Sequence, residues 1–397
     1  MLNQDIIREA TRLTRAGQLV EATALLQRML RGEHAANAPS RSHGHIALPG
    51  PLIIDAKANV AEESDRPSPS ASGPATQPRK AHPLLDRKKG RTTIGPRPFL
   101  ERAPTSSQDI VPNGARFIEG TYSSPAGSRT YKLFIPSGYR ERPLPLIVML
   151  HGCTQSPDDF AAGTRMNVLA EAHHCFVVYP AQPSQANHAK CWNWFREADQ
   201  QRGRGEPSLI AGITRQIMDQ YAVDRKRVYV GGLSAGAAAA AVMGETYSDL
   251  YAAIGIHSGL PCGVATDLPS ALRAMRQGGA NRKFVSDSPS PVPTIVFHGD
   301  RDTTVHPNNG DHIVEQAVRA MNSRKTVHRG QRAGGHAYTR TVLADAHGRE
   351  MLEHWNVHGG GHAWSGGSPA GSYTDPRGPD ATREMLRFFL QHSLSEE

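Results

Sequence analysis

Seven short apolar runs, each closed by Gly or Pro, are the feature that most constrains how this chain of 397 residues can fold. They occupy residues 130–136, 144–152, 175–181, 227–232, 251–259, 291–299 and 353–361. Segments with helical periodicity separate most of them, at residues 163–173, 207–221, 234–245 and 309–322, and a last one follows at 380–394. Continuous apolar strands that alternate with helices are typical of a mostly parallel sheet with both faces covered. The sequence therefore predicts an α/β fold.

The N-terminal part of the chain lacks this alternation. Apolar residues at helical spacing predict a small helical hairpin over residues 1–32. A single hairpin cannot bury its own apolar face, so we expect it to dock on the main domain, on a second copy or on a partner. Residues 33–112 are rich in Pro, Ser and charge, and we expect a disordered linker there. Residues 113–397 then form the α/β domain.

The charge pattern bears on partners and on location. The formal net charge is +8, and many basic residues lie in runs such as residues 79–91, with no interleaved aromatic residues. We interpret these runs as a solvated linker rather than a surface for nucleic acid or a granule. The N-terminus shows no apolar core of a secretory signal, and no stretch approaches the ~20 apolar residues of a membrane span. We therefore expect a cytoplasmic protein that binds neither nucleic acid nor membrane, with mostly reduced cysteines; export by a non-Sec route stays open.

The motif Gly-x-Ser-x-Gly spans residues 232–236, between a predicted strand and a predicted helix. In that context the glycines let two chain segments pass closely, while the serine sits on a strained turn with its hydroxyl exposed. The start of the following helix directs free N–H groups toward developing negative charge. Ser234 is therefore the candidate nucleophile. The alternative is an ordinary join between a buried strand and a buried helix.

A serine nucleophile needs a histidine base and a carboxylate that holds the histidine in the right tautomer. In folds of this type the three follow in the order Ser, Asp or Glu, His. After the run at 291–299 come Asp300 and Asp302; we favour Asp302 as the acid and expect Asp300 to cap the turn. Of His358 and His362, we favour His362 as the base because it follows the glycine-rich loop. The three glycines between these histidines argue against a helix, and therefore against a metal site.

Two backbone N–H groups are candidates for an oxyanion hole. One belongs to Ala235, directly after the nucleophile, and the other to Cys153, in the loop after the run at 144–152. In this role Cys153 contributes its amide and not its thiol.

Several specific motifs are spread over about residues 114–393, namely LHGCTQSPDDF, CWNWF, VYVGGLSAGAAAAAVM, GIHSGLP, VFHGDRDTTVHPNNG and GGGHAWSGGSPAGSYTDPRGPDATREMLRFF. Together they resemble the esterase family of polyhydroxybutyrate depolymerases, to which feruloyl and acetylxylan esterases are related. The resemblance implies the α/β-hydrolase fold and chemistry without a cofactor. The family's serine, aspartate and histidine fall on Ser234, Asp302 and His362, and its oxyanion-hole cysteine falls on Cys153.

Three tryptophans and two cysteines are candidates for shaping the cleft. Trp192 and Trp194 either form an apolar wall against an acyl chain or cover the sheet edge, while Trp364 is expected to line the cleft. Cys153 and Cys191 lie in loops expected to form the cleft. These positions would allow a disulfide, and the sequence leaves its formation open.

The resemblance implies a serine hydrolase that cleaves carboxylic esters, with short-chain polyhydroxyalkanoate, namely poly-3-hydroxybutyrate or its oligomers, as substrate. Secreted depolymerases carry a signal peptide and often a polymer-binding module, neither of which is visible in this sequence. A general short-chain or feruloyl-type carboxylesterase is therefore the alternative. An inactive scaffold that binds a granule or a partner is a second alternative. Residues 1–31 are the candidate contact with a polymer-granule surface or a protein partner.

Overall fold

The computed structural model describes residues 110–279, 291–318 and 323–395. The predicted hairpin at residues 1–32 and the predicted linker up to residue 109 lie outside the described residues. Within the described ranges, ten strands form one sheet and two further strands form a small second sheet. In chain order the strands are β1 (Arg116–Ser124), β2 (Gly127–Ile135), β3 (Leu144–Leu150), β4 (Phe176–Pro180), β5 (Val223–Leu233), β6 (Ala253–His257), β7 (Thr294–Gly299), β8 (Arg324–Gln331), β9 (Ala337–Ala344), β10 (Glu350–Val357), β11 (Trp364–Ser365) and β12 (Thr374–Asp375).

The large sheet has the strand order β1-β2-β4-β3-β5-β6-β7-β10-β9-β8. Its centre, from β4 to β10, is parallel throughout. The two edges are antiparallel, with β1 and β2 at one side and β9 and β8 at the other. The prediction of a mostly parallel sheet is confirmed, and each of the seven apolar runs overlaps one of its strands.

Seven α-helices lie in the described residues, and in chain order they are α1 (Pro157–Thr164), α2 (Met166–His173), α3 (Gly205–Gln220), α4 (Ala235–Thr246), α5 (Leu268–Gln277), α6 (Asn308–Val318) and α7 (Ala381–Leu390); a short 3-10 helix covers Glu197–Gln200. The single helix predicted at 163–173 is instead two, because Arg165 adopts a left-handed φ of 57° between α1 and α2. The sequence did not predict α5. Among the helices of these described ranges, none combines the length and the apolar character needed to traverse a lipid bilayer.

Both faces of the central sheet are buried, as the continuous apolar runs require. In β3, Leu146, Val148 and Leu150 contribute to one hydrophobic core, and Ile147 and Met149 contribute to the other. Residues of α3 and α4 pack in the first core, and residues of α1, α2 and α7 pack in the second. The carboxyl ends of the parallel strands consequently meet at one edge of the sheet, which is where reactive side chains gather in open α/β folds.

Candidate active site

A tight turn between β5 and α4 carries the candidate nucleophile. Ser234 has φ 57° and ψ −119°, a backbone conformation that residues other than glycine rarely adopt. A Cβ on Gly232 would lie 2.5 Å from the carbonyl carbon of Gly236, and a Cβ on Gly236 would lie 2.1 Å from the Leu150 oxygen. Both glycines are therefore required for the close approach of strand and helix, which is the geometry of a nucleophile elbow.

The turn is fixed by backbone hydrogen bonds and holds the serine in a largely buried position. The Ser234 N–H donates to the His257 carbonyl at 2.9 Å, and the Ser234 carbonyl accepts from Ala238 at 3.0 Å. The residue is 9% exposed. In the described part of the chain no hydrogen bond joins the Ser234 hydroxyl to His362.

The candidate acid and base are hydrogen-bonded to each other. His362 Nδ1 and Asp302 Oδ2 are 2.7 Å apart, and the second carboxylate oxygen accepts the N–H groups of Thr304 and Val305 at 2.8 Å each. The Asp302 side chain is fully buried. Burial alone would raise its pKa, but hydrogen bonds from His298 and His362 hold that pKa well below its usual range. Asp302 is therefore an ionised carboxylate that faces the imidazole N–H.

Close backbone contact brings the loops of the acid and the base together. The loop after β7 carries Asp302, and the loop after β10 carries His362. The Gly360 carbonyl accepts the N–H of Arg301 at 2.9 Å. A Cβ on Gly299 would lie only 2.3 Å from the Gly360 oxygen. A glycine at 299 thus permits the approach that places the carboxylate beside the imidazole.

The remaining pair of candidates, Asp300 and His358, also meets in the structure. Asp300 Oδ2 lies 3.0 Å from His358 Nδ1, and Asp300 Oδ1 accepts the Gly359 N–H at 2.7 Å. The expectation that Asp300 caps its own turn is therefore wrong, because its carboxylate binds the neighbouring loop instead. His358 and His362 face different carboxylates.

Two backbone N–H groups near the nucleophile turn stay the candidates for the oxyanion hole. A Cβ on Gly152 would lie 3.6 Å from the Ser234 Cβ, so the loop after β3 borders the nucleophile. Ala235 is the first residue of α4, where the N–H has no partner within the helix. Neither the Cys153 N–H nor the Ala235 N–H donates a hydrogen bond within the described residues. Both are free to donate to an oxygen that develops negative charge.

A disulfide joins the loop after β3 to the segment that contains Cys191, because Cys153 and Cys191 are bonded. The expectation that the four cysteines are mostly reduced is therefore wrong for this pair. Cys175 and Cys262 are free thiols, and both are buried.

The three tryptophans lie inside the protein. Trp192, Trp194 and Trp364 are 0%, 6% and 1% exposed. The indole of Trp192 donates to the His151 carbonyl at 3.1 Å, and that of Trp364 donates to the Thr382 hydroxyl at 2.9 Å. All three rings pack in the hydrophobic cores. For Trp192 and Trp194 this favours a covering role over an exposed apolar wall, and the expectation that Trp364 lines the cleft is wrong, because its ring is buried in the core.

His257, at the end of β6, is a site residue that the sequence reasoning missed. Its ring is stacked between Phe297 and Trp364, and its Nε2 accepts the Ser365 N–H at 2.9 Å. Burial lowers the pKa of His257 to about 3, so the ring is neutral. Its carbonyl holds the nucleophile turn and its ring holds the loop after the candidate base. The signal in the sequence is that His257 lies near the end of an apolar run. This position does not distinguish it among the 19 histidines of the chain.

The parallel sheet and the elbow after β5 define the α/β-hydrolase fold. The family model described as "Esterase PHB depolymerase" matches residues 129–340, which is more than half of the chain. This chain belongs to that esterase family.

Two curated relatives and one solved structure illustrate the similarity. Poly(3-hydroxyalkanoate) depolymerase C of Paucimonas lemoignei is 34% identical over 250 residues, which are 60% of this chain and 59% of that protein. A probable acetylxylan esterase A of Aspergillus flavus is 28% identical over 233 residues, which are 54% of this chain and 74% of that protein. An acetyl xylan esterase from Aspergillus awamori has a TM-score of 0.54 at 19% identity and covers 70% of this chain and 99% of its own. This last similarity supports the fold alone.

Proposed function

We propose that the chain is a carboxylic ester hydrolase that acts on short-chain polyhydroxyalkanoate, namely poly-3-hydroxybutyrate or its oligomers. The observation that carries the hydrolase proposal is the buried hydrogen bond between Asp302 and His362, beside the elbow that holds Ser234. The polyester substrate rests on the 34% identity to poly(3-hydroxyalkanoate) depolymerase C, of whose length this chain spans 59%.

In the first step, the Ser234 hydroxyl attacks the ester carbonyl carbon and His362 Nε2 accepts its proton. Asp302 accepts the Nδ1–H, which leaves Nε2 as the basic nitrogen and stabilises the imidazolium that forms. Because hydrogen bonds between nucleophile and base often tighten only when substrate binds, the missing Ser234–His362 bond is compatible with this role.

The N–H groups of Cys153 and Ala235 donate to the oxyanion of the tetrahedral intermediate. The imidazolium then gives its proton to the leaving alcohol, which departs as the bond between the carbonyl carbon and the alcohol oxygen breaks. Water repeats the sequence on the acyl-enzyme, with His362 as base, and releases the carboxylic acid and free serine. Every proton transfer in this cycle uses the same imidazole.

A fluorophosphonate probe separates this proposal from an inactive scaffold. Such a probe reacts with a serine only when a base and an oxyanion hole activate it. We expect stoichiometric labelling of Ser234, located by peptide mass mapping, and none in the Ser234→Ala variant. A wild-type protein that stays unlabelled would favour the scaffold.

The second candidate function is a short-chain esterase of the acetylxylan or feruloyl type, with no action on polyester. The 28% identity to a probable acetylxylan esterase A supports it. Release of 3-hydroxybutyrate from amorphous granules, of acetate from acetylated xylan and of ferulate from its methyl ester would discriminate. Polyester hydrolysis predicts that the first product dominates at equal enzyme concentration.

We propose in addition that residues 1–31 direct the protein to a polymer granule or a partner, and that this occurs in the cytoplasm. The Cys153–Cys191 disulfide is at odds with the cytoplasm, because structural disulfides are rare in reducing compartments. Deletion of residues 1–109 should preserve soluble-ester turnover and change where the protein is found. Thiol alkylation of cell fractions, with and without reductant, tests the compartment, and an unchanged location of the deletion variant would count against the targeting role.

A further inference from the structure

One exposed aromatic side chain lies next to the candidate oxyanion loop. Among the large apolar residues exposed in the described ranges, Tyr373 is the one aromatic, at 47% exposure. Its hydroxyl lies 3.1 Å from that of Thr154, the residue directly after Cys153. The Thr154 hydroxyl in turn donates to the Cys153 carbonyl at 2.6 Å, so the phenol hydroxyl is connected to the loop that carries the N–H proposed to bind the oxyanion.

The backbone at both ends of this contact is strained. Tyr373 has a φ of 51° and Thr154 a φ of 66°. A left-handed φ is a genuine outlier for a β-branched residue such as threonine. Strain of this kind persists only where the surroundings impose it, which happens most often at functional sites.

Hydrogen bonds from two loops hold the Tyr373 backbone in this conformation. The Tyr373 carbonyl accepts the N–H of Trp364 at 2.7 Å, two residues beyond His362. The preceding carbonyl, of Ser372, accepts from the Gln155 amide at 3.2 Å. Gln155 also accepts the Gly152 N–H at 2.9 Å, directly before Cys153. The Tyr373 backbone is therefore fixed to the loop of the base and to the oxyanion loop, while its ring stays in solvent.

A rigid, half-exposed aromatic ring offers an apolar surface with little loss of conformational entropy on binding. We infer that the Tyr373 ring is the wall of an accessory subsite that binds the part of a polyester substrate beyond the reacting ester unit. The bonds to both loops place this wall at a set distance from the reacting carbonyl. Tyr373 thus determines specificity for extended substrates over a minimal ester, and this inference rests on the proposed function.

The test is competitive inhibition of p-nitrophenyl acetate turnover by a linear trimer of 3-hydroxybutyrate. An inhibition constant is measurable whether or not the trimer is itself cleaved. In Tyr373→Ala we expect the trimer to bind about tenfold more weakly. We expect kcat/KM for p-nitrophenyl acetate to fall by no more than about threefold, because this minimal ester has no unit beyond the reacting one. Tyr373→Phe keeps the ring and should bind the trimer within about threefold of wild type.

Val327→Ala is the matched control, because Val327 is an exposed apolar residue on β8 and should leave both quantities as they are. An unchanged inhibition constant in Tyr373→Ala would overturn the inference, and so would a wild-type protein that the trimer does not inhibit. A parallel loss of acetate and trimer affinity would also overturn it, since that indicates a merely structural role. Absence of p-nitrophenyl acetate turnover by wild type would contradict the proposed function itself.

Discussion

Two aspartate–histidine pairs connect the same two loops, yet they lie in different environments. Asp302 and His362 are 2.7 Å apart, and their side chains are 0% and 12% exposed. Asp300 and His358 are 3.0 Å apart, and their side chains are 35% and 41% exposed. The two pairs thus share their loops and the type of bond, but not their access to water.

The exposed pair has the more complete hydrogen-bond chain. His358 Nε2 lies 2.9 Å from the Thr339 hydroxyl, so hydroxyl, imidazole and carboxylate are connected. The hydroxyl of Ser234 makes no such bond in the described residues. What Ser234 has instead is the strained turn and two free N–H groups beside it, in a site with less water. Under the proposed function, the placed N–H donors and the low dielectric around Ser234 supply most of the stabilisation, and the more complete hydrogen-bond chain at Thr339 contributes nothing to catalysis.

Removal of the Ser234 hydroxyl and removal of the Thr339 hydroxyl should give the largest difference in activity between the two pairs. Ser234→Ala is expected to lower kcat for p-nitrophenyl acetate by about 10⁴–10⁶-fold, because the acyl-enzyme cannot form. Thr339→Ala should change kcat by less than about threefold, since Thr339 lies within β9, where the backbone N–H groups are used in pairing with β10 and β8. Steady-state kinetics on the two purified variants provides the measurement. A loss in Thr339→Ala comparable to that in Ser234→Ala would mean that the exposed chain is the catalytic one.

Neutralising each carboxylate should give the next largest difference. Asp302→Asn is expected to lower kcat by about 10⁴-fold, because the amide can no longer hold the productive tautomer of His362. Asp300→Asn should cost at most about tenfold, through looser packing of the glycine loop. Circular dichroism controls for folding. Equal losses in both variants would show that the two pairs act as one unit.

The Cys153–Cys191 disulfide anchors the loop after β3, which borders Ser234. Cys191→Ser frees Cys153, and we expect kcat to fall about tenfold. This is less than the loss of a whole oxyanion donor, since the Thr154 N–H still binds the Ala189 carbonyl. Dithiothreitol should lower wild-type kcat to a similar extent and have no further effect on the variant. Full activity in Cys191→Ser would show that the loop needs no covalent anchor.

The smallest expected effect concerns pH and the buried ring of His257. The pKa of His257 is about 3 in the folded protein, below the ordinary value of 6.5. As pH falls below 6.5, the His257 imidazole is protonated in the unfolded chain but stays neutral in the folded protein. The contribution of the neutral ring to stability is therefore present above pH 6.5 and is lost toward pH 3.

Urea unfolding at pH 7, 6 and 5 measures this contribution. As pH decreases, the free energy of unfolding of wild type should fall more steeply than that of His257→Gln, by up to about 1.4 kcal/mol per pH unit. Parallel pH dependence in the two proteins would contradict a neutral His257.

The central strands were predictable because burial on both faces leaves a continuous apolar run, as in β3 and β6. The edge strands carry no such signal. Seven of the eight residues of β8 are exposed, with the sequence RKTVHRGQ, and β1 mixes polar and apolar residues without a buried face. Pairing with β9 and β2, rather than apolar pattern, makes them strands.

The chain order of Ser234, Asp302 and His362 led to three side chains that the fold does bring to one edge of the sheet. Their catalytic roles stay a prediction until the variants are made. The environment of His257 and the position of Tyr373 could not be predicted, because each depends on contacts between segments far apart in sequence. The expectation for Trp364 was wrong for the same reason, since proximity in sequence to a site residue says nothing about which way a side chain points.

The backbone conformation of Ser234 also constrains how this sequence can change over time. Its φ of 57° and ψ of −119° suit glycine far better than serine, and such strain costs roughly 1–3 kcal/mol of a total stability of about 5–15 kcal/mol. A lineage that no longer needed the hydroxyl could become more stable by replacing serine with glycine at this one position. Folding alone would therefore favour glycine over serine at position 234.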